Sequence, residues 1–196
     1  MRTETLERTI YTFDELSDDA KETAREPFRQ LDHEWWDAVY DDFDRIAAIM
    51  GIDVDQKQFS GFWSQGDGAC FTGTYSYKKG ATKAIREYAP KDEELHEIAD
   101  TLQTLQRPYF YGLTASITTS GRYSHSGTMS VDADTDKTWR DIGADIESDL
   151  ADVFRSLAYW LYSTLEKDYE FLTSDEQIDE LIDGNGYEFT EIGKLI

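Results

Sequence analysis

The stretch FSGFWSQGDGACFTGTYSY, residues 59–77, contains two β-prone segments on either side of a glycine-rich turn. Aromatic residues recur on both sides, and period-two spacing places them on one face of a strand. The four residues Gln65-Gly66-Asp67-Gly68 include two glycines, which adopt positive φ at low steric cost. We therefore predict a β-hairpin with strands over 57–64 and 69–77.

A second hairpin is predicted over residues 109–118 and 122–133, with Thr119-Ser120-Gly121 between them. Both segments alternate apolar residues with Ser, Thr or Asp, so one sheet face is expected to be apolar and the other rich in hydroxyls. The two hairpins indicate an antiparallel sheet of about four strands. Segments 6–13 and 187–192 are candidates to extend it, because each is β-prone.

Helical spacing of apolar residues predicts helices over 33–50, 81–88, 92–106 and 174–182, and one long helix near 138–169. An earlier helix is expected to begin after Ser17 as its N-cap. Helices between antiparallel hairpins are typical of an α+β fold. We therefore predict a single α+β domain over 1–196, with the helices packed mainly on one face of the sheet.

The composition indicates an acidic protein with enough apolar residues for a core. Of its 196 residues, 39% are hydrophobic and 14% aromatic, and the net charge is −22. A field of that sign repels nucleic acid and attracts basic surfaces. No apolar run is long enough to span a bilayer, and the first residues lack the apolar core of a signal peptide. We expect a cytosolic protein that binds neither membranes nor nucleic acid directly; the sequence leaves its oligomeric state open.

Aspartates recur at steps of three or four residues in two of the predicted helices. They lie opposite the apolar residues of each helix, and they are Asp37, Asp41 and Asp44 in the first, and Asp141, Asp145, Asp149 and Asp152 in the second. Like charges at this spacing cost a few tenths of a kcal/mol each in an isolated helix. We interpret the two rows as a binding surface for a basic partner; the alternatives are a solvated helix face and adaptation to salt.

The sequence contains no motif that names a reaction. It has neither the nucleophile elbow G-x-S-x-G nor the phosphate-binding G-x-x-x-x-G-K, and its three histidines are too far apart for a metal-binding spacing. We therefore predict no catalytic residues, no metal site, no cofactor and no enzymatic activity. The alternative is a ligand pocket around the first turn, formed by Trp63, Ser64, Gln65 and Asp67.

Three stretches resemble a widespread family of small proteins from tailed bacteriophages and prophages. They are YTFDELSDDAKETARE, the central FSGFWSQGDGACFTGTYSYKKG with AIREYAPKDEELHEIA, and FLTSDEQIDELIDGNGYEFTEIGKL. Some members of that family are labelled as toxin–antitoxin antitoxins. The resemblance implies a phage accessory protein in the cytoplasm of a bacterial host.

Charge and resemblance together suggest a phage protein that inhibits a host defence system, such as restriction or CRISPR. Its anionic surface would imitate DNA and dock on a basic host protein or nucleoprotein complex. Two alternatives are an antitoxin that neutralises a basic toxin and a protein that holds a nucleotide or another small molecule in a pocket.

Overall fold

The computed structural model describes residues 8–31, 34–136 and 142–196. These residues form two compact units, one from the described parts of Met1–Trp35 with Lys167–Ile196, the other from Trp36–Glu166. The α-helices are α1 (Asp18–Arg25), α2 (Asp37–Met50), α3 (Ala81–Tyr88), α4 (Glu93–Gln106), α5 (Ala144–Leu172) and α6 (Asp175–Asn185). The strands are β1 (Ile52–Phe59), β2 (Ala69–Ser76), β3 (Leu113–Thr119) and β4 (Met129–Thr135).

The strands of the unit Trp36–Glu166 form one antiparallel sheet in the order β1-β2-β3-β4. This meander of two hairpins, combined with the helices, confirms the predicted α+β fold. One sheet face is polar, as predicted: Thr74 pairs with Ser116 and Ser116 with Asp132, and all three are exposed. On the opposite face, the apolar residues of the two central strands are buried: Phe71, Tyr75, Leu113, Ala115 and Ile117.

Helices α2 and α5 pack on the same face of the sheet, and strand β2 provides the contact. The ring of Phe43 in α2 lies 5.3 Å from that of Phe71 in β2. The ring of Phe154 in α5 lies 6.4 Å from Phe71 and 5.4 Å from Tyr75. All four side chains are buried. Apolar residues at helical spacing thus bury the face that the sequence pattern predicts.

Both hairpin connections are longer than predicted. Strand β1 ends at Phe59 and β2 starts at Ala69, so residues 60–68 form the first loop. The turn proper is Ser64–Asp67: the N–H of Asp67 donates to the C=O of Ser64 at 3.1 Å. Gly66 occupies its third position with φ +94°, as a type II turn requires. The four-residue connection that we predicted is therefore wrong, and the turn lies one residue earlier.

The second loop covers residues 120–128, most of which we had assigned to a strand. Local side-chain bonds replace the strand pairing there. The N–H of Gly127 donates to Nδ1 of His125 at 3.1 Å, and the hydroxyl of Thr128 donates to the C=O of His125 at 2.7 Å. Strand β4 therefore begins only at Met129.

Side chains from α5 hydrogen-bond to the backbone of the edge strand β4. Arg155 Nη2 donates to the C=O of Met129 at 3.0 Å, and the N–H of Ala133 donates to Oε1 of Glu147 at 3.3 Å. At the other edge, β1 carries an irregularity between Val54 and Gln56. Such irregularities bend an edge strand and limit further pairing.

The smaller unit is built from α1, α6 and the segments next to them. Its core consists of Phe13, Leu16, Ala20, Ala24, Ile178, Ile182 and Phe189. Arg25 makes a bidentate ion pair with Asp179, with both N–O distances at 2.7 Å. This pair joins α1 to α6 through a geometry that suits guanidinium and carboxylate.

The two chain ends do not add strands to the sheet that the structure describes. Tyr11 and Phe189 instead form a single antiparallel bridge, with N–O distances of 2.9 and 2.8 Å. Residues 6 and 7 of the predicted first strand lie outside the described residues. The expectation of a single domain stays a prediction, which limited proteolysis can test.

The first helix begins after Ser17 as predicted, whereas α2 begins at Asp37, later than the predicted residue 33. Ser17 accepts from Ala20, and Ser174 accepts from Gln177, as N-caps of α1 and α6. Gly51 ends α2 with φ +89°. The long helix starts at Ala144 and ends at Leu172, several residues later at both ends than predicted.

Candidate partner-binding site

Two of the predicted acidic residues of α5, Asp149 and Asp152, line a groove between α4 and α5. The groove has a volume of about 530 Å³ and is lined by Glu94, Glu97, Ile98, Thr101, Leu105, Asp149, Asp152, Val153 and Ser156. Its four carboxylates come in pairs from the two helices, and all four residues are exposed. The site therefore presents negative charge from both helices that form it.

The floor of the groove is apolar, and its rim is acidic. Ile98 and Val153 are buried, and Leu105 is half-buried. Among the residues that the structure describes, no lysine or arginine lines the groove. Asp152 does contact a cation, because Arg155 Nη1 lies 3.0 Å from its Oδ1. This combination suits a side chain with an aliphatic stem and a cationic head, because the stem covers apolar surface while the head meets carboxylates.

Asp92 fixes the relative position of the two helices. Its Oδ1 accepts from the N–H of Leu95 at 3.0 Å, which caps α4. Its Oδ2 accepts from Nε1 of Trp160 in α5 at 2.8 Å. Trp160 is buried, so its indole N–H needs such an acceptor. The carboxylate of Asp92 thus caps the N-terminus of α4 and hydrogen-bonds to α5, which fixes the distance between the two helices that line the groove.

The first predicted row, on α2, lies elsewhere. Asp37 and Asp41 are exposed, while Asp44 accepts from Nζ of Lys57 in β1 at 2.5 Å. Because β1 and β4 are opposite edges of the sheet, this places the α2 row at the β1 edge, whereas Glu147 and Arg155 hold α5 along β4. The structure thus does not join the two rows in one groove.

One described residue of the α5 row lies outside the groove. Asp145 is exposed but does not line it, and Asp141 lies outside the described residues. The sequence interpretation missed Glu94 and Glu97. A signal was present, because Glu94, Glu97, Thr101 and Leu105 follow at steps of three and four on one face of α4.

The residues proposed for the alternative pocket build a turn. Oδ2 of Asp67 accepts from the N–H of Ser64 at 2.7 Å, so this carboxylate supports the backbone of the loop. Trp63 points outward and is 73% exposed. Ser64 and Gln65 are exposed as well.

Chemically reactive arrangements have little support among the described residues. Burial raises the pKa of the Cys70 thiol, which disfavours the thiolate that a nucleophile needs. In the part of the chain that the structure describes, no three His, Cys, Asp or Glu side chains are grouped to hold a metal ion. The groove therefore remains the candidate with the most developed geometry.

The architecture is that of an α+β protein with a four-stranded meander, helices over one sheet face and an acidic interhelical groove. The chain belongs to the family defined by the domain of unknown function DUF8835, whose model matches residues 35–175. Comparison with curated proteins and with solved structures gives no match. None of the helices in the described residues has the length and apolarity needed to cross a membrane.

Proposed function

We propose that this protein is a phage-encoded inhibitor that binds a basic surface of a host defence complex through the α4–α5 groove. The partner would be a nucleic-acid-binding protein of a restriction, CRISPR or related system in the bacterial cytoplasm. The proposal rests on one observation: Glu94 and Glu97 of α4 and Asp149 and Asp152 of α5 line the same groove, which has an apolar floor. The resemblance to phage proteins supplies the biological setting.

The charge of the whole chain supports binding to a cationic site that normally holds nucleic acid. A net charge of −22 accelerates the approach of a basic partner and repels nucleic acid itself. Within the groove, two carboxylates three residues apart on one helix are separated by about 4.5 Å along the helix axis. Two such pairs offer a short double row of negative charge that imitates the phosphates of a duplex.

The plating efficiency of phage on cells that express this protein, compared between cells with different defence systems, identifies the defence nuclease that it inhibits. The test then measures whether the protein competes with DNA for binding to that purified nuclease. The triple substitution Glu97→Gln, Asp149→Asn and Asp152→Asn removes three negative charges from the groove. It should weaken inhibition at least about tenfold, since charge pairs in an interface contribute from one to several kcal/mol. The matched control removes three exposed acids of the smaller unit: Glu180→Gln, Asp183→Asn and Glu188→Gln.

Equal losses in both triple variants would mean that net charge alone drives binding and would overturn the role of the groove. Unchanged inhibition in the groove variant, with an unchanged melting temperature, would do the same. If the protein instead rescued cells from a co-expressed basic toxin and left phage plating unaltered, the antitoxin alternative would replace the proposal.

A further inference from the structure

The two hairpin loops lie side by side at one end of the sheet. In a meander, the β1–β2 and β3–β4 connections leave the sheet at the same end, and the contacts agree with this. A Cβ added to Gly68 would lie 2.5 Å from Cβ of His125, and one added to Gly66 would lie 3.8 Å from Cδ1 of Tyr123. Residues 60–68 and 120–128 therefore form one surface, which we name the loop tip.

The loop tip exposes two large aromatic side chains, and other aromatic rings pack beneath them. Trp63 is 73% exposed, and Tyr123 is 60% exposed. Beneath them the ring of Phe62 lies 5.8 Å from that of Trp63, 5.7 Å from Phe59 and 5.6 Å from Tyr162 in α5. The Ser64–Asp67 turn closes the loop. Trp63 thus contacts a ring that is itself packed between neighbours, and such support lowers the entropic cost of binding.

Carboxylates lie beside these rings on the α5 side of the loop tip. The ring of Tyr162 contacts Phe62 of the loop tip, and Glu166 follows Tyr162 by one turn of α5, which places both side chains on the same helix face. In agreement with this placement, burial raises the pKa of Tyr162, and the negative charges of Glu166 and Asp67 raise it further. Tyr159, one turn before Tyr162, is 60% exposed. Exposed aromatic faces next to carboxylates favour a cation with a flat, polarisable head group.

We propose that the loop tip is a second binding surface, which holds an arginine-containing segment of a protein partner. A guanidinium stacks on Trp63 or Tyr159 and pairs with Glu166. Arginine fits better than lysine because its planar head group both stacks and forms paired hydrogen bonds. None of these residues lines the α4–α5 groove, so the inference stands without the proposed function.

The test compares two short peptides of equal length and charge, one of alternating arginine and glycine and one of alternating lysine and glycine. Binding is followed by isothermal titration calorimetry at two salt concentrations. The protein should prefer the arginine peptide, and Trp63→Ala should weaken that binding about fivefold, with a smaller change for lysine. Trp63→Ala leaves the net charge untouched, so general attraction between opposite charges is held constant.

Phe171→Ala is the control, because Phe171 is another exposed aromatic residue of α5, at 59%. It should leave both affinities unchanged. Trp63→Phe should retain most of the arginine preference, which separates loss of the ring from disturbance of the loop. Equal weakening of both peptides, no effect of Trp63→Ala, or an equal effect of Phe171→Ala would overturn the proposal. Binding of an oligo-thymidine strand that depends on Trp63 would overturn it in favour of nucleic acid.

Discussion

The side-chain amide of Gln106 pairs with the backbone of Leu113 as a neighbouring strand would. Nε2 of Gln106 donates to the C=O of Leu113 at 2.7 Å, and the N–H of Leu113 donates to Oε1 at 3.0 Å. The same Nε2 lies 3.2 Å from the hydroxyl of Tyr75. Gln106 is fully buried, and it satisfies the backbone of Leu113, which lies beyond the last β2–β3 pair, Ser76 with Thr114.

Gln106→Ala is expected to lower the free energy of unfolding by about 3 kcal/mol, because it leaves a buried N–H and C=O unpaired and opens a small cavity. Urea denaturation monitored by circular dichroism measures the change. Gln65→Ala, at an exposed turn position, is the matched control and should alter stability by less than about 0.5 kcal/mol. Equal effects of the two substitutions would contradict a structural role for Gln106.

The turn of the first hairpin gives a second prediction. The carboxylate of Asp67 accepts a hydrogen bond from the N–H of Ser64 at 2.7 Å, and Asp67→Ala removes this bond. The substitution should therefore cost about 1 kcal/mol, whereas Asp67→Asn keeps an acceptor and should cost less. Gly66→Val should cost about 1 kcal/mol or more, since a β-branched residue resists φ +94°. Thermal melts distinguish these effects, and an unstable Asp67→Asn would show that the charge matters more than the hydrogen bond.

Gly68 differs from Gly66, because its φ is not in the left-handed region and its constraint is steric. A Cβ there would lie 2.5 Å from Cβ of His125. Gly68→Ala should destabilise the protein in a wild-type background, and His125→Gly should relieve part of that cost. A double-mutant cycle of unfolding free energies measures this coupling, and additive effects would contradict the close approach of the two loops.

The pH dependence of stability should depend in part on Asp168. Burial raises its pKa above the usual 3.8, so the native state binds this proton more readily than the unfolded state does. Stability then falls as pH rises from the unfolded towards the folded pKa, and the penalty persists at neutral pH. Asp168→Asn should raise the melting temperature at pH 7, with the gain vanishing in acid. A gain that is the same at both pH values would contradict this origin.

Salt should stabilise the protein because its charges repel one another. With a net charge of −22, screening at about 0.15 M salt limits each charge to a reach of about 8 Å, so the melting temperature should rise with moderate ionic strength. Scanning calorimetry from low to molar salt measures this. Full folding at low salt would remove the salt-habitat explanation for the acids, whereas a chain unfolded until molar salt would support it.

The sequence predicts the helices and the strand count well because burial leaves a periodic signal. In α5, Leu150, Leu157 and Leu161 are fully buried at the spacing that identified the helix. Strand ends are less visible. The predicted first strand began at residue 57, whereas β1 begins at Ile52 and includes Asp53 and Asp55, which are exposed residues of an edge strand, where acids are tolerated.

For a related reason, the sequence predicted only two of the four carboxylates that line the candidate site. Asp149 and Asp152 stood out because their helix carries a regular acidic row, but their partners Glu94 and Glu97 belong to a helix distant in sequence. Which helices become neighbours depends on tertiary packing, here including the bond between Asp92 and Trp160. Single-sequence periodicity describes each helix by itself and contains no information about that pairing.

The contacts of Glu147 and Arg155 with β4 have a consequence for the solution behaviour of the protein. A bare strand edge is a template on which a second chain can add its own strand, the first step of fibril growth. In this fold the cover comes from the early part of α5, which follows β4 closely in the chain. Weakening that part of the helix, through Glu147 and Arg155 together, would expose Met129 and Ala133 and make the protein prone to aggregate while its remaining core stays intact.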